Sequence, residues 1–422
     1  MRSTGIFFKL ILFSIILNLN LNLNLSAGVI DNRYLPQFDP MYLRKAEPVG
    51  SFDINLLAMS GERGHDQDGK KVNLPEIFGR YNLSKVALGL QKTQGINFLQ
   101  PEWQILNDIY WCMEGKLQAQ GVHLGIERQI AKWCAFGMQL DVLHVSSRID
   151  FLIDPETKRI LKLDQGGVLE LYRALSKTNK ALGLDADQWS QSGISDIDLY
   201  FRFSVIREYI LKCRQVDAGI KLGTYLPSGV CRDLNNPASI PFGGNGHTGL
   251  YVELDLNFEL KEDWFLGVWA QVVHRFPLKQ ELRMPAAGST KPEIMTFGAE
   301  TGRGEVEVGT TFGVQPFLVL RDLFDGFGVR LAYTYRHHSH DWWCDLRADK
   351  TLPVYLSKVA DLTEWQSEYV TIGLIYNLWE SDDERCKSVP MFYLNWDQPV
   401  GLFGDSGAAS THRAAVGIEI DF

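Results

Sequence analysis

The sequence predicts an all-β fold, a transmembrane antiparallel β-barrel of about twelve strands, with roughly 10 to 14 possible. Three observations predict this fold. Apolar and polar residues alternate along twelve segments, and the connections between these segments alternate between short and long. After the N-terminal region no apolar run reaches about eighteen residues, which excludes a helical membrane span. Because unpaired backbone groups are costly in lipid, a spanning sheet must close on itself.

The clearest strand pattern covers residues 250–260, where large apolar residues occupy the even positions and Tyr, Glu, Asp or Asn the odd ones. A period of two places these sets on opposite faces of a strand. One such run alone would also fit a half-buried strand of a soluble protein. Similar runs predict the other strands at about 50–61, 108–126, 132–145, 196–205, 218–225, 264–276, 304–319, 326–338, 365–379, 389–398 and 411–422. In the second run the apolar phase slips near Gly121, which indicates a β-bulge or a misplaced boundary.

The connections carry a second signal, since barrels place short turns in the periplasm and long loops outside. Two links, at 206–217 and 399–410, have equal lengths and fit this rhythm less well. The short connections are 127–131, 261–263, 321–325 and 381–385, and the long ones are 62–107, 146–193, 228–246, 277–303 and 339–363.

Tryptophan positions fit two aromatic girdles at the membrane interfaces. The predicted outer girdle contains Trp111, Trp342, Trp343, Trp365 and Trp396. The predicted periplasmic girdle contains Trp133, Trp264 and Trp379.

The N-terminus has the pattern of a secretory signal peptide at residues 1–27. Arg2 and Lys9 precede a short apolar stretch, and Ala27 supplies a small residue at the expected cleavage point. Residues 28–48 are predicted to be a periplasmic N-terminal segment or a partial plug, and residues 49–422 the barrel.

The mature chain is acidic. Removal of the two basic residues in the leader leaves 40 Lys+Arg against 51 Asp+Glu, a net charge of −11. An acidic balance argues against a nucleic-acid partner.

The polar faces of the predicted strands supply charges of both signs to the lumen. Opposed walls of charge would order water and select polar solutes; alternatively, the charges pair and brace the lumen. Twelve strands lie between the eight of a filled barrel and the sixteen of an open channel, so a small pore is expected. The candidate residues of the substrate pathway are Arg202, Lys221, Tyr225, Glu253, Asp255, Asn257, Glu305, Glu307, Arg330 and Arg336.

Other motifs are weaker. His337, His338 and His340 with Asp341 could supply metal ligands, but neighbouring strand residues face opposite ways, so a polar rim is favoured and no metal is predicted. No G-x-S-x-G motif occurs, and no residue stands out as a candidate catalytic residue. The sequence therefore predicts neither enzymatic activity nor a cofactor. A lipid-acting enzyme would need a Ser and a His that face each other on adjacent strands.

Two consecutive strand segments, 192–199 and 218–229, followed by the glycine-rich stretch 243–246, resemble a family of bacterial outer-membrane channels associated with phenol meta-cleavage operons. That family is similar in style to transporters of the fatty-acid type. The resemblance covers about residues 190–276. It implies a passive or gated pore for small organic or hydrophobic molecules in the outer membrane.

The last strand, which ends at Phe422, also resembles the closing strand of outer-membrane barrels, where a terminal Phe is read by the assembly machinery. The implied partners are therefore the lipid bilayer, lipopolysaccharide, the assembly machinery and a small solute. The alternatives to a channel are a lipid-acting enzyme and a structural or adhesive surface barrel.

Overall fold

Twelve antiparallel strands close into a barrel in the computed structural model, which describes residues 32–35, 50–106, 108–184, 187–286, 295–377 and 390–421. The predicted signal peptide at 1–27, most of the segment at 28–48 and Phe422 lie outside these residues. Each strand pairs with the next along the chain, and the first strand also pairs with the last. The predicted fold class is confirmed.

The barrel strands are numbered β1 to β12 in chain order. Their bounds are β1 Gly50–His65, β2 Tyr110–Ala131, β3 Cys134–Ile153, β4 Ile197–Glu208, β5 Gln215–Leu226, β6 Gly249–Lys261, β7 Trp264–Arg275, β8 Thr311–Phe324, β9 Phe327–His338, β10 Trp365–Asn377, β11 Pro390–Pro399 and β12 Ala409–Asp421. We call the end of the barrel with the long loops the outer end, and the end with the tight turns the inner end.

The apolar residues of the barrel wall face outward. In β6, Val252 and Leu254 are 49% and 48% exposed, whereas Glu253 and Asp255 between them are 3% and 2% exposed. A soluble barrel would show the opposite arrangement, with the apolar face buried. The wall is therefore built to meet lipid, with its polar face in the lumen.

Helices and short strands occupy the long loops at the outer end. The helices are α1 Leu83–Gln94, α2 Pro101–Gln104, α3 Pro155–Ile160, α4 Gln165–Ala181 and α5 Leu356–Ala360, with 3₁₀ turns at Leu74–Glu76 and Met295–Phe297. Short strands lie at Lys71–Asn73, Tyr81–Asn82 and Gln188–Ile194, and a separate three-stranded sheet contains Leu278–Met284, Glu300–Glu307 and Trp342–Asp345. In the part of the chain that the structure describes, no helix is long and apolar enough to cross a membrane.

The outer half of the barrel interior holds an apolar core to which two loop helices contribute. Asn82 caps the start of α1 by accepting two backbone N–H groups of its first turn. The helix ends at Gly95, whose φ of 71° is a conformation that glycine adopts without strain. Leu90 of α1 and Leu171 of α4 join one buried cluster with Trp111 from the inward face of β2. Loop helices and barrel wall thus share a core at the outer end.

Of the two explanations considered for the slip near Gly121, the β-bulge is wrong. The pairing of β2 with β1 and β3 runs through this residue without a shift. The inward face of β2 instead changes in character, from Met113 and Leu117 in the apolar core to His123 in the polar lumen below it. The strand keeps its period while the environment of its inward face changes, which is why the apolar phase slips.

Several predicted boundaries are also wrong, among them the end of β3, which lies at Ile153 and not at 145. β2 continues to Ala131, so its turn lies at 132–133 and not at 127–131. The segment predicted as one strand at 304–319 is broken, because Gly309 donates its N–H to Asp341 Oδ1 at 2.9 Å and the chain leaves the wall there. β8 consequently begins only at Thr311.

The girdle prediction is correct for some tryptophans only. Trp133, Trp264 and Trp396 are 62%, 45% and 51% exposed on the barrel surface. Trp111 and Trp365 are 0% and 2% exposed, because they face inward at the outer end. Trp342 and Trp343 lie on the separate external sheet, and Trp379 lies outside the described residues.

Candidate functional site

Charges of opposite sign pair in the lumen across β4, β5 and β6. The guanidinium of Arg202 donates from Nε to Asp255 Oδ1 at 3.1 Å, and its Nη2 lies 3.4 Å from Asp217 Oδ2. Lys221 Nζ lies 3.7 Å from Glu253 Oε1. All five side chains are between 1% and 5% exposed. The predicted acidic and basic residues of these strands therefore neutralise one another at close range.

Tyrosines fill the space beside these ion pairs. Tyr225 and Tyr251 stack with ring centroids 4.8 Å apart. The Tyr251 hydroxyl donates to Asp198 Oδ1 at 2.8 Å, and Lys221 Nζ lies 3.9 Å from the ring centroid of Tyr200. A cation over an aromatic face is stabilised most when it is desolvated, as this lysine is.

The charges of β9 lie on the same inward face. Arg330 donates to Gln315 Oε1 at 2.8 Å. The Arg336 guanidinium lies 5.9 Å from the ring centroid of Trp269. Asn257 of β6 is also buried, at 5% exposure. We call the residues Arg202, Asp217, Lys221, Glu253, Asp255, Arg330 and Arg336 the charged layer.

The expected lumen positions of Glu305 and Glu307 are wrong. Both residues lie in the external strand Glu300–Glu307, where they stand opposite Cys344 and Trp342 of the neighbouring strand. Glu305 is partly buried and Glu307 is exposed. The break at Gly309 separates them from the barrel wall, so alternation alone assigned them to the wrong sheet.

A cavity of about 190 Å³ lies at the outer mouth of the barrel. It is lined by the ends of β9 and β10, by the loop before β6, by the external sheet and by Asn32, Arg33 and Tyr34. Asn32 Nδ2 donates to the carbonyl of Pro241 at 2.6 Å, and Leu35 is 1% exposed. The described part of the N-terminal segment thus packs at the outer end, whereas β1 starts at the inner end.

Three arginines of the described chain line this cavity. Arg33 donates to the carbonyls of Leu362, Thr363 and Gly407, and burial lowers its pKa to about 10. Arg283 donates to the carbonyls of Leu182, Leu234 and Gly298. Burial also lowers the pKa of Arg283 and of Arg232. The mouth of the barrel therefore concentrates positive charge on one buried arginine, Arg283, and two partly buried ones, Arg33 and Arg232.

Sequence patterns did not point to these arginines, because they are brought together from distant loops. One local signal was available at 243–246, the glycine-rich stretch. Asn245 and Gly246 adopt φ of 56° and 104°, and the turn lets Asn245 Oδ1 accept the backbone N–H of Arg232 at 2.9 Å. The stretch thus orders the loop that carries Arg232.

The histidines considered as metal ligands diverge. His338 is buried, stacks on Trp365 and contacts Asp341 Oδ1 through Nε2 at 3.0 Å. His337 on the other face lies 4.0 Å from Glu364. Burial opposes ionisation of Asp341, but His338 and the N–H of Gly309 outweigh it and lower its pKa.

A serine–histidine contact occurs on the outward face of the wall. His144 Nδ1 lies 2.8 Å from Ser192 Oγ, and Ser190 Oγ lies 3.4 Å from His144 Nε2. His144 belongs to β3, and the serines belong to the short strand Gln188–Ile194 that pairs with it. All three side chains are exposed. This is the facing pair that a lipid-acting enzyme would need.

Fold and lumen together define a transmembrane β-barrel of the outer-membrane type. No family model and no curated protein matches the chain. Among solved structures it is similar to the COG4313 outer membrane channel of Pseudomonas putida F1, with a TM-score of 0.50, 9% identity, and coverage of 92% of this chain and 100% of that one. At this identity the likeness shows the fold alone.

Two further similarities are weaker. The toluene transporter TodX of Pseudomonas putida has a TM-score of 0.31 and 10% identity, and covers 94% of both chains. The β domain of the Bordetella autotransporter BrkA has a TM-score of 0.34 and 8% identity, with coverage of 89% of this chain and 100% of that one. Both scores are too low to distinguish a channel from an autotransporter.

Proposed function

We propose that the protein is a gated channel of the bacterial outer membrane for the uptake of small organic solutes, hydrophobic ones included, without catalysis. One observation carries this proposal. An amphipathic cavity lies at the outer mouth of a closed barrel whose apolar wall faces lipid. Concave, mostly apolar sites with a few polar groups are typical of small-molecule binding. A solute captured there would stand at the entrance of the lumen.

Gating follows from the burial of the charged layer. Arg202, Arg330 and Arg336 are 1%, 3% and 1% exposed, so these side chains leave little room for water. A solute could pass only if this layer rearranged. The described residues Asn32–Leu35 at the outer mouth support a partial plug over a purely periplasmic N-terminal segment.

Lipopolysaccharide and the outer-membrane assembly machinery are further partners in this proposal. Lys116 and Arg148 are exposed on the outward face of β2 and β3, where they pair with Glu62 and Asp150. From there they would also meet the anionic groups of lipopolysaccharide. The closing strand β12 would present the signal for the assembly machinery through Phe422.

Single-channel conductance of the refolded protein in a planar bilayer tests the channel. We expect discrete openings whose conductance increases with salt concentration. We also expect liposomes that contain the protein to swell in solutions of small organic solutes. Bilayers and liposomes without protein are the controls. A barrel that is folded by circular dichroism but is silent in both assays would contradict the proposal and favour the structural or adhesive alternative.

The contact between His144 and Ser192 supports a second candidate, a lipid-acting esterase. Ser192 Oγ would attack the ester carbonyl while its proton passes to His144 and then to the departing alcohol, and water would release the acyl group from the serine. Among the described residues no carboxylate orients His144. This absence makes the channel the better-supported function.

Hydrolysis of phospholipid by the refolded protein tests the esterase. We expect no hydrolysis above that of the Ser192→Ala variant if the channel proposal is correct. Hydrolysis that is lost in Ser192→Ala and retained in Ser190→Ala would establish the enzyme instead.

A further inference from the structure

Arg232 differs from the other two arginines of the outer cavity. The guanidinium groups of Arg33 and Arg283 donate to backbone carbonyls that hold them in place. In the described chain, Arg232 makes a hydrogen bond only through its backbone N–H, to Asn245. Its side chain borders the cavity beside Tyr34. Arg232 therefore presents its donors to the cavity.

The acidic residues near the cavity do not neutralise this charge. Asp341 is engaged by His338, by the N–H of Gly309 and by Trp343. Asp233 is exposed, and its carboxylate accepts the backbone N–H of Asn235 at 2.8 Å. Among the described residues no carboxylate forms an ion pair with Arg232, whose electrostatic neighbour is Tyr34. A partly buried guanidinium without a counter-charge loses some hydration, and an anion that enters the cavity compensates for that loss.

One part of the cavity wall is apolar or aromatic and is formed by Phe78, Leu282, Val306, Val308, Trp343 and Trp365. Besides the arginines, its polar part includes Asn32, His247, Gln280, His338 and Asp341. The volume of about 190 Å³ exceeds the roughly 150 Å³ of an engineered apolar cavity in another protein that holds benzene. One aromatic ring and one small polar group therefore fit.

We infer that the outer cavity binds small organic anions, specifically aromatic or short aliphatic monocarboxylates, with the carboxylate on Arg232 and the apolar part against Trp343 and Trp365. The inference rests on the proposed function and names the substrate class of the channel. The planar guanidinium can donate two parallel hydrogen bonds to a carboxylate, a geometry that Lys or Gln cannot reproduce. A neutral molecule of the same shape contacts the apolar wall but offers the guanidinium of Arg232 no anionic hydrogen-bond acceptor.

Fluorine NMR titration of the refolded protein tests the inference. The probes are 4-fluorobenzoate and its neutral counterpart 4-fluorobenzyl alcohol. We expect 4-fluorobenzoate to bind at least about tenfold more tightly than the alcohol, the energy of roughly one charge-assisted hydrogen bond. Arg232→Gln should remove this preference and leave the affinity for the alcohol unchanged.

Two variants guard against a folding defect. Arg232→Lys keeps the positive charge and should retain part of the preference. Arg173→Gln removes an exposed arginine of α4 that pairs with Glu170 outside the cavity, and it should behave as wild type. Equal affinity for both probes, or a preference that survives Arg232→Gln in a folded barrel, would overturn the inference.

Conductance separates this inference from the channel proposal. A conducting protein that does not prefer the carboxylate keeps the channel and loses the substrate class. If the protein does not conduct but binds 4-fluorobenzoate through Arg232, the binding site is supported and the channel proposal is rejected.

Discussion

Asp405 lies in the loop between β11 and β12 at the outer end and shows how a single buried acid responds to its surroundings. Burial, followed by the nearby carboxylate of Glu368, raises its pKa to about 7. Its Oδ2 also lies 3.5 Å from Nδ1 of His65 at the end of β1. Glu368 in turn accepts the backbone N–H groups of Leu402 and Phe403. The ionisation of Asp405 is thus coupled to the position of this loop.

The sign of the pH dependence follows from the raised pKa. Between about pH 4 and pH 7 the folded loop keeps a proton that the unfolded chain has lost, so the stability of the loop falls as pH rises through this window. Asp405→Asn should remove this loss. Hydrogen exchange of residues 400–408 at pH 8 should be about tenfold slower in the variant than in wild type, with no difference near pH 4.

Asp68→Asn is the matched control for Asp405→Asn, since Asp68 is an exposed loop acid at the same end. It should leave the exchange of residues 400–408 unchanged at both pH values. Equal protection of wild type and Asp405→Asn at pH 8 would show that the loop does not respond to Asp405.

Neighbouring strands of the wall fit together through glycines that face tyrosines. Gly223 of β5 stands opposite Tyr251 of β6, and Gly137 of β3 stands opposite Tyr200 of β4. A Cβ atom at Gly223 would lie 2.3 Å from Cζ of Tyr251. The hydroxyl of that tyrosine is held by Asp198, so the ring cannot move aside without losing this bond. The glycine therefore determines where the tyrosine ring lies in the lumen.

Gly223→Ala should lower the free energy of unfolding by about 1–3 kcal/mol, the usual cost of overpacking a filled interior. Denaturant titration in detergent micelles measures this change. Gly166→Ala is the control, because a Cβ there meets its nearest atom, Asp164 Oδ1, at 3.4 Å on the first turn of α4. A loss of stability in Gly166→Ala as large as that in Gly223→Ala would contradict the steric argument.

On the scale of the whole molecule, the barrel interior is divided into two zones. Apolar side chains, mainly of β1 to β3, pack with the loop helices at the outer end, and the charged layer lies on the inward faces of β4, β5, β6 and β9. The apolar side chains at the outer mouth lower the local dielectric constant and thereby strengthen nearby electrostatic interactions. Any solute that crosses the barrel meets the cavity first and the charged layer second, so capture and passage are controlled by different residues.

Arg330→Glu tests whether ions cross the charged layer. In an open pore this substitution replaces a positive charge in the lumen by a negative one, so the selectivity should shift toward cations. The reversal potential in a gradient of KCl measures the shift. Arg148→Glu, on the exposed outward face, is the control and should leave the reversal potential nearly unchanged. If Arg330→Glu does not exceed this control, ions do not pass the position of Arg330.

Much of the barrel could be predicted from the sequence, because the alternation of apolar and polar residues along a strand is a local property. Alternation along β6 assigns Glu253, Asp255 and Asn257 to one face without any knowledge of neighbouring strands. The same pattern misassigned Glu305 and Glu307, because it is equally present in a strand that belongs to another sheet. A strand's own residues specify its faces, but its pairing partners specify which sheet it joins.

The sequence by itself determined the number of strands, the face of each strand that meets lipid, and the mixed charges of the lumen. The tertiary structure alone decided which charges pair, that Trp111 and Trp365 turn inward, and that Arg33, Arg232 and Arg283 meet around one cavity. The physical reason is the distance in sequence over which the relevant interactions act. Strand periodicity and turn length are set by neighbouring residues, whereas a cavity at the barrel mouth depends on loops that are far apart in sequence and meet only when the first strand pairs with the last.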